Sequence, residues 1–459
     1  MSKRSAKIRT LAVVAVGALI VSSCSSDDDN SSTTAAADTN ATNGDSAAPN
    51  TAVPETEAST ANTDVAEVED TAAPEIEPGE PYAGEVGVTD DTIKIGYFLP
   101  ETGALSALST DLAKAINAVG FDEINAAGGV HGRQLEMVLY DDGSGNPAVT
   151  QASFKDAEDE VFAMMSIIGN TATTMAALAE EAEVPTVVSN IDGRVGRDSM
   201  WTFAAVPYWD TSSRLMDDYI LSIADADTPV GVVFMATPNG EGARDAFLEE
   251  ADAAGLNVIV EQPVEPVPAT CSNEIARLAD AGVEIVYLIS GALPGICMHR
   301  AAGDAGYSPE AWLSPANGWN IGFVARAVGG LAESSTSFGH APTLETEAGQ
   351  HYVEQVNKFV PDAQEGDITV DGFLTYSPER LLIEGLQAAG PQLTREGFFD
   401  AMETSVSGVE TGYGPPPIYG PGERSGPLSA NLWVPGTRLV DGVDTPTWVT
   451  ADATWHDEF

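Results

Sequence analysis

Hydroxyl and amide side chains lie where an apolar, strand-like segment passes into a helical one. Gly169-Asn170-Thr171-Ala172-Thr173 follows the apolar run that begins at Val161. Its small residues leave backbone N–H groups accessible at the start of a helix, which favours an anionic or hydrogen-bonding ligand. Asn170 or Thr171 could equally cap that helix, and capping explains the composition as well. We treat Asn170, Thr171, Ala172 and Thr173 as candidate ligand-binding residues.

A second polar group, Ser189-Asn190-Ile191-Asp192, ends the next apolar run along the chain. In a parallel sheet such strand ends share one edge, so this group is expected on the same face as the first. Asn239 follows the first strand-like run of the second half and is a candidate as well. Aromatic residues often line solute sites, although a buried aromatic residue more often belongs to the core. The aromatic candidates are Tyr208, Trp209 and Trp319.

Motifs of the common catalytic sites are absent from the sequence. It contains no Gly-x-Ser-x-Gly elbow, no His-Glu-x-x-His pair and no GxxxxGK[ST] loop, and its five histidines are scattered. The turn Asp141–Asn146 is superficially similar to a calcium loop but lacks the glutamate at position twelve, so we interpret it as an Asx-type turn. We predict a protein that is not an enzyme and that holds no cofactor or metal.

Charge restricts the partners of this chain. Its 459 residues include 70 Asp and Glu against 20 Lys and Arg, a formal net charge of −50. Nucleic-acid binding is excluded because neutralising phosphates requires clustered basic residues. Attraction to an anionic membrane surface is disfavoured for the same reason. Any attachment to a membrane would therefore be covalent.

The N-terminal segment predicts such an attachment. Four basic residues precede the apolar stretch Leu11–Val21, which is too short to span a bilayer. Val21-Ser22-Ser23-Cys24 then resembles the lipobox of bacterial lipoproteins, which implies a signal peptide at 1–23 and lipidation of Cys24. An ordinary signal peptide that happens to carry a cysteine is the alternative. Residues 24–80 are acidic and almost free of large apolar side chains, so we predict a disordered tether.

Strand-like apolar runs alternate with helical stretches from about Thr92 onward. This alternation indicates βαβ units and a parallel sheet covered on both faces. A second series begins after Asp210, so we predict two α/β units with a ligand cleft beyond the carboxyl ends of their strands. The predicted strands are Thr92–Leu99, Gln134–Tyr140, Val161–Ile168, Val184–Ser189, Pro229–Met235, Leu256–Glu261, Glu284–Ser290 and a short one near Trp312.

Two motifs resemble the leucine/isoleucine/valine-binding family of extracellular solute-binding proteins. Ile95–Gly103 is similar to the opening strand and loop of that family, and Asp122–Arg133 resembles its INAxGGxxGR helix end. The resemblance implies a type I periplasmic-binding-protein fold, an α/β architecture of two doubly wound lobes joined by a hinge. The implied lobes are 91–208 with 340–410, and 209–339 with 411–459.

The resemblance also implies a function. A lipid-anchored member would capture a small polar solute between its lobes and deliver it to an ABC permease, on the extracytoplasmic face of the cell membrane. The alternative is a ligand-sensing receptor component with the same fold. Thr102 joins the candidate site residues because it lies in the opening loop that resembles the family's loop.

One departure from the family bears on the solute. Amino-acid-binding members place an acidic residue in the loop that corresponds here to Ser314–Gly318, where it pairs with the substrate ammonium. This stretch contains Asn317 but no carboxylate, which disfavours a branched-chain amino acid. Asp192, from the other lobe, could replace the missing acid. Amino acids, amides, ureas, aromatic acids and small peptides stay open as solutes.

The cysteines also depart from the family, whose usual bridge in the first lobe is absent here. Cys271 and Cys297 are the two that remain once Cys24 is acylated. An even pair in an exported domain more often forms a disulfide than a metal site, so we predict a Cys271–Cys297 bridge. His299 makes zinc an alternative, but the spacing has neither CxxC nor HxxxH.

Overall fold

The computed structural model describes residues 84–189, 192–315, 333–409, 412–421, 423–426, 428–440 and 442–456. The predicted signal peptide, tether and lipidation site Cys24 lie outside the described residues. The candidate site residues Asn190, Asn317 and Trp319 lie outside them too. These assignments stay predictions.

A parallel sheet is formed by the first five strands of the described chain. These are β1 (Thr92–Leu99), β2 (Gln134–Asp141), β3 (Ala163–Ser166), β4 (Thr186–Val188) and β5 (Thr202–Ala204). They are arranged in the order β2-β1-β3-β4-β5. β1 reads TIKIGYFL and is buried over most of its length, as expected for a strand with helices on both faces.

Helices connect these strands, because parallel neighbours need a crossover. They are α1 (Asp111–Ile116), α2 (Val119–Ala126), α3 (Pro147–Ala157), α4 (Gly169–Ala182) and α5 (Gly193–Gly196). Thr110, Asn146 and Asp192 start α1, α3 and α5, since each side chain accepts a backbone N–H of the first turn.

A second sheet of seven strands follows in the described part of the chain. Five of its strands, with the helices of this part of the chain, are in order α6 (Trp209–Arg214), α7 (Met216–Ile223), β6 (Val230–Met235), α8 (Pro238–Ala254), β7 (Val258–Val264), α9 (Ser272–Ala281), β8 (Ile285–Ile289), α10 (Ala292–Ala305), β9 (Ala311–Ser314) and β10 (Ser335–Gly339). The chain ends in α11 (Glu347–Phe359), α12 (Val370–Ala388), α13 (Arg395–Ala401), β11 (Ile418–Gly420), β12 (Glu423–Gly426), β13 (Ala430–Val440) and β14 (Val443–His456).

The second sheet has the order β14-β13-β10-β9-β8-β6-β7, in which β13 and β14 run antiparallel to their neighbours. Two α/β sheets, each with helical crossovers, confirm the predicted two-lobed architecture. Within the described ranges, no helix is both long and apolar enough to cross a bilayer.

The C-terminal segment packs against both sheets. Tyr419 in β11 donates a hydrogen bond to the Ala204 carbonyl at the end of β5, at 2.6 Å. In contrast, Trp433 and Trp448 in β13 and β14 join a core cluster that also contains Tyr352 from α11. The predicted assignment of 411–459 to the second lobe is not tested by this packing alone, because the ribbon of β11 and β12 contacts the first sheet.

Arg424 lies in the ribbon of β11 and β12, where the chain leaves the first lobe for the second sheet, and it is fully buried. Its Nε donates to the Met200 carbonyl at 2.7 Å, and its Nη1 donates to the carbonyls of Gly420 and Glu423 at 2.7 and 2.8 Å. Its Nη2 pairs with the Glu403 carboxylate. The guanidinium is therefore held in one position by four acceptors.

Aromatic rings enclose the same guanidinium. Its central carbon lies 4.9 Å from the ring centroids of both Phe203 and Phe399. Two residues further along, the backbone at Gly426 lies close to the end of β5, and a Cβ there would be 2.4 Å from the Ala204 carbonyl oxygen. Gly426 also has a φ of +69°. Only glycine satisfies both conditions at this position.

A disulfide joins Cys271, which precedes α9, to Cys297 in α10, with a Cα–Cα distance of 5.7 Å. The bridge connects the helix that precedes β8 in the sequence to the helix that follows it, as the sequence predicts. Cys271 is almost fully buried, so the bridge forms part of the core under α9 and α10.

Replacing Arg424 by methionine is expected to destabilise the protein by about 3–5 kcal/mol, because it leaves the partly buried Glu403 carboxylate and the carbonyls around the guanidinium without their donor. The measurement is the midpoint of denaturant unfolding. Lys155→Met is the matched control, since it removes an exposed cation that pairs with Glu158 one helical turn away. Equal midpoints for the two variants would contradict the role assigned to Arg424.

Glu379 in α12 gives a prediction about pH. Burial raises the pKa of its carboxyl well above the usual 4.5, against a hydrogen bond from the Gly120 N–H at 2.9 Å. The nearby Asp122 also raises this pKa, and Arg380 lowers it. The folded state therefore keeps a proton that the unfolded chain releases above about pH 4.5, and stability falls as pH rises through that window.

Glu379→Gln removes this proton release and is expected to be more stable than the unsubstituted protein at pH 7. The difference in stability should vanish near pH 4, where Glu379 is protonated in both the folded and the unfolded protein. Unfolding midpoints measured between pH 4 and 8 test this. Glu384→Gln, on the more exposed side of the same helix, reports the general effect of removing an acid. A glutamine variant that is less stable at pH 7 would show that the charged carboxylate is preferred.

Candidate ligand cleft

The acidic side chains at the carboxyl ends of β1 and β2 already accept hydrogen bonds from other groups of the protein. Asp141 accepts hydrogen bonds from the Thr102 N–H at 3.0 Å, the Thr102 hydroxyl at 2.6 Å and the Gly143 N–H at 2.9 Å. Burial would raise the pKa of Asp141, but these bonds outweigh it and lower the pKa. Thr102 is exposed, and its side chain orders the loop at this edge of the sheet.

Asp142 and Thr171 form a buried pair behind this edge. Asp142 accepts from the Ser144 N–H at 2.8 Å and from the Thr171 hydroxyl at 2.9 Å. Burial raises the pKa of Asp142, and the Thr171 bond opposes that rise. The turn therefore uses its own carboxylates internally, as an Asx-type turn does. The hydroxyl of the candidate residue Thr171 joins β2 to α4 and is directed to Asp142.

The start of α4 is left without a side-chain cap. The N-cap residue is Ile168, and no acidic residue lies in the first turn. The alternative that Asn170 or Thr171 caps this helix is therefore wrong, because both lie inside it. Asn170 is half-buried beside Gly145, and Ala172 is buried in the core. Free N–H groups at a helix start attract negative charge and acceptors.

Thr173 brings the two predicted polar groups together. Its hydroxyl donates to the Gly169 carbonyl at 2.8 Å and accepts from the Asp192 N–H at 3.2 Å. Ser189 donates to the Ile167 carbonyl at 3.2 Å and so joins the ends of β4 and β3. The groups after β3 and β4 therefore form one continuous polar edge of the first sheet.

Asp192 is paired within this edge. Its carboxylate accepts from Arg194 Nε at 3.0 Å and from Arg194 Nη2 at 2.8 Å, and it caps α5 through the Arg194 N–H. Hydrogen bonding to Asp192 raises the pKa of Arg194. The Asp192 side chain is 4% exposed whereas that of Arg194 is 50% exposed. A nearly buried acid is thus neutralised by an arginine that reaches solvent.

Arg194 also reaches across to the second lobe. Its Nη2 donates to the Pro238 carbonyl at the start of α8, and its Nη1 lies 4.0 Å from the Asp245 carboxylate. A Cβ on Gly242 would lie 3.0 Å from Arg194 Nε, so the guanidinium rests against α8 where that helix lacks a side chain. This contact places Asn239, which is 4% exposed in the first turn of α8, opposite the polar edge of the first sheet.

A second arginine, the residue that follows α5, contacts the segment between the lobes. Arg197 Nη1 donates to the buried Asp210 carboxylate, and its guanidinium lies 5.5 Å from the Tyr208 ring centroid. Tyr208 is fully buried and donates its hydroxyl proton to the Arg424 carbonyl. Trp209 is 4% exposed in the core of the second sheet. Both aromatic candidates therefore pack at the hinge and in the core.

The histidines that the structure buries carry no charge at neutral pH. Burial lowers the pKa of His299 to about 4 and that of His340 to about 3. His299 shares a hydrogen bond with the Gly295 carbonyl at 2.8 Å and packs on Trp312. The described ranges contain no group of three or more His, Cys, Asp or Glu side chains that could hold a metal ion.

Sequence reasoning missed Arg194 and Arg197. A usable signal was present, because the chain has only 20 Lys and Arg residues and two of them, Arg194 and Arg197, lie within eight positions after the predicted strand end at Ser189. The interpretation of Asp192 as a free acid overlooked that an arginine two residues away can fold back onto it.

Comparisons with known proteins agree with this architecture. Residues 92–433 match the model of a family described as "Periplasmic binding protein". Leu/Ile/Val-binding protein homolog 7 of Brucella abortus is 25% identical over 253 residues, which are 52% of this chain and 62% of the relative. The chain thus matches less than two thirds of that relative's length.

Solved structures are similar in fold. A fatty acid ABC transporter substrate-binding protein from Thermomonospora curvata has a TM-score of 0.70 at 19% identity, covering 82% of this chain and 94% of that one. A branched chain amino acid ABC transporter from Thermus thermophilus with bound valine has a TM-score of 0.66 at 17% identity, covering 79% and 98%. An R. palustris solute binding protein in complex with 4-hydroxybenzoate has a TM-score of 0.64 at 19% identity, covering 80% and 98%.

The family model covers about three quarters of the chain, and both sheets of the described fold lie largely within the matched residues. This chain therefore belongs to the periplasmic binding protein family, a membership that implies an extracytoplasmic location.

Proposed function

We propose that this protein is a lipid-anchored, extracytoplasmic solute-binding protein that captures a small polar solute between its lobes and delivers it to an ABC permease. The observation that carries the proposal is the polar edge formed after β3 and β4, which α8 of the second lobe faces through Arg194. Ligands of open α/β sheets bind at such edges. Family membership supports the assignment.

The solutes of the similar structures support a small-molecule ligand. One of these proteins is solved with bound valine, one is solved in complex with 4-hydroxybenzoate, and one belongs to a fatty acid ABC transporter. These solutes differ in size and charge, so the fold alone does not select one of them. The ligand of this chain has to be argued from its own residues, with Asn170, Thr173, Ser189 and Asn239 as the candidate contacts and Asn190, Asn317 and Trp319 as further candidates.

Lipidation at Cys24 would supply the covalent attachment that the charge of the chain requires. A tether of 57 residues that behaves as a flexible coil would span roughly 40 Å, from about 5–6 Å times the square root of its length. That reach lets the lobes act away from the membrane surface while remaining near a permease.

Closure is the step that links binding to delivery. A ligand shifts an open–closed equilibrium only by as much as it prefers the closed form. Arg194 contributes to that form because it bridges α5 of the first lobe and the start of α8 in the second. Its contact with α8 is half-exposed, so we expect a modest contribution to closure.

A ligand screen tests the proposal directly. Thermal unfolding of the purified protein is measured against amino acids, amides, ureas, aromatic acids and fatty acids. A ligand at about 100 times its dissociation constant should stabilise the folded protein by roughly 2.7 kcal/mol, which raises the unfolding temperature. A well-folded protein that responds to no member of so broad a panel would contradict solute capture.

Arg194→Met is expected to weaken the binding of a ligand found in this screen by about two- to tenfold, because the closed form loses its contact with α8. Isothermal titration calorimetry measures the change. Arg214→Met is the control, since Arg214 pairs with Glu249 and Glu250 within the second lobe. Equal affinities for the Arg194 variant and the control would remove Arg194 from closure.

A further inference from the structure

We infer that the solute of this cleft is an organic acid without an ammonium group, rather than an amino acid. The inference rests on the proposed function and concerns the same cleft. It depends on the charge balance at the strand ends, where the carboxylates of the first lobe are committed to groups of the protein itself.

The first lobe offers no carboxylate for an ammonium among the strand-end residues that the structure describes. Glu101, after β1, pairs with Lys114 at 2.8 Å and accepts from Ser109. Asp141 and Asp142, after β2, are occupied by the hydrogen bonds of their own turn and of Thr102 and Thr171. Asp192, after β4, is held by both Nε and Nη2 of Arg194.

Two of the acids that face this edge from the second lobe are paired with arginines, and the third lies in solvent. Asp245 accepts from Arg244 Nη2 at 2.5 Å and lies near Arg194. Asp210 pairs with Arg197. Glu241, in the first turn of α8, is exposed to solvent and acts on Arg194, whose pKa it helps to raise.

The strand-end segments outside the described residues supply no acid either, by composition alone. Residues 190–191, after β4, are Asn and Ile. Residues 316–332, after β9, contain neither Asp nor Glu, and Arg326 is their one charged residue. This composition includes the stretch in which amino-acid-binding members of the family carry the acid that pairs with the ammonium.

Two buried carboxylates have an oxygen without a hydrogen-bond partner in the described part of the chain, and neither belongs to a strand end. They are Asp217 in α7 and Glu379 in α12. Burial raises the pKa of both, which favours the uncharged acid. Because both residues lie within helices and neither belongs to a strand end, neither side chain provides a counter-charge at the edge of the sheets.

The carboxylate of a ligand, unlike an ammonium, would find hydrogen-bond donors without partners at the same edges of the described sheets. α4 and α10, which follow β3 and β8, both begin without a side-chain cap and without an acid in the first turn. Ser314, at the end of β9, is fully buried and its hydroxyl has no hydrogen-bond partner in the described ranges. Half-buried Ile167, Ile168 and Leu293 lie beside the two helix starts and suit the apolar part of an organic acid.

Pairs of ligands that differ only in the ammonium group distinguish organic acids from amino acids as solutes. Leucine is compared with 4-methylpentanoate, and phenylalanine with 3-phenylpropanoate, by thermal unfolding and calorimetry on the whole protein. The acid of at least one pair is expected to bind more than tenfold tighter than its amino acid, because burying an ammonium without a counter-charge is costly. Tighter binding of the amino acid in both pairs would overturn this inference while leaving solute capture intact. Failure of every ligand, in these pairs and in the wider panel, would instead overturn the proposed function and this inference with it.

Arg194 provides a test that a structural role alone would not satisfy. Arg194→Met exposes the Asp192 carboxylate without a partner, so the ratio of amino-acid to acid affinity should rise at least tenfold, whatever loss both ligands share. Adding Asp192→Asn to that variant should return the ratio to its original value. An unchanged ratio in the single variant, with folding verified by its unfolding curve, would contradict the explanation from charge pairing.

Discussion

The packing of the C-terminal ribbon on the first lobe depends on one buried cation, Arg424. Its guanidinium lies between β5 and the ribbon of β11 and β12, where three carbonyls and the Glu403 carboxylate accept its hydrogen bonds. Its own carbonyl accepts the Tyr208 hydroxyl, immediately before the chain enters the second lobe. A lysine, with a single point charge, could not hold these separate acceptors, so the planar fork of arginine fixes the ribbon against the first lobe.

Much of the fold could be predicted because it rests on local patterns. β1, β2 and β6 are long apolar runs between helical segments, and their bounds in the structure differ little from the predicted ones. Strands at the interior were predicted too long, since the run from Val161 includes residues that lie in turns on both sides of β3. The cysteine pair was predictable for a different reason, because an exported domain leaves few other uses for two cysteines.

The hinge and the charge state of the cleft could not be predicted in this way. The C-terminal segment has no strong periodicity, and its role depends on contacts with β5 and with Phe203, more than 200 residues earlier. Asp192 presented the opposite difficulty, since the sequence shows a carboxylate at a strand end but not the side-chain torsion that brings Arg194 back onto it. Tyr208 and Trp209 were placed near the cleft by sequence, yet their exposure is decided by packing.

The distribution of charge shows how an acidic protein can prefer an anion. With 70 acids and 20 bases, this chain has a field that repels negative solutes at long range. Screening by salt weakens that repulsion beyond about 8–10 Å, whereas contacts inside a closed cleft are screened much less. Specificity is therefore decided by the groups at the strand ends, where arginines neutralise Asp192 and Asp210 and two helices begin with free N–H groups. Because few basic residues are available, the placement of Arg194 in α5 and of Arg197 directly after it is the feature that gives the cleft a local charge balance different from that of the surface.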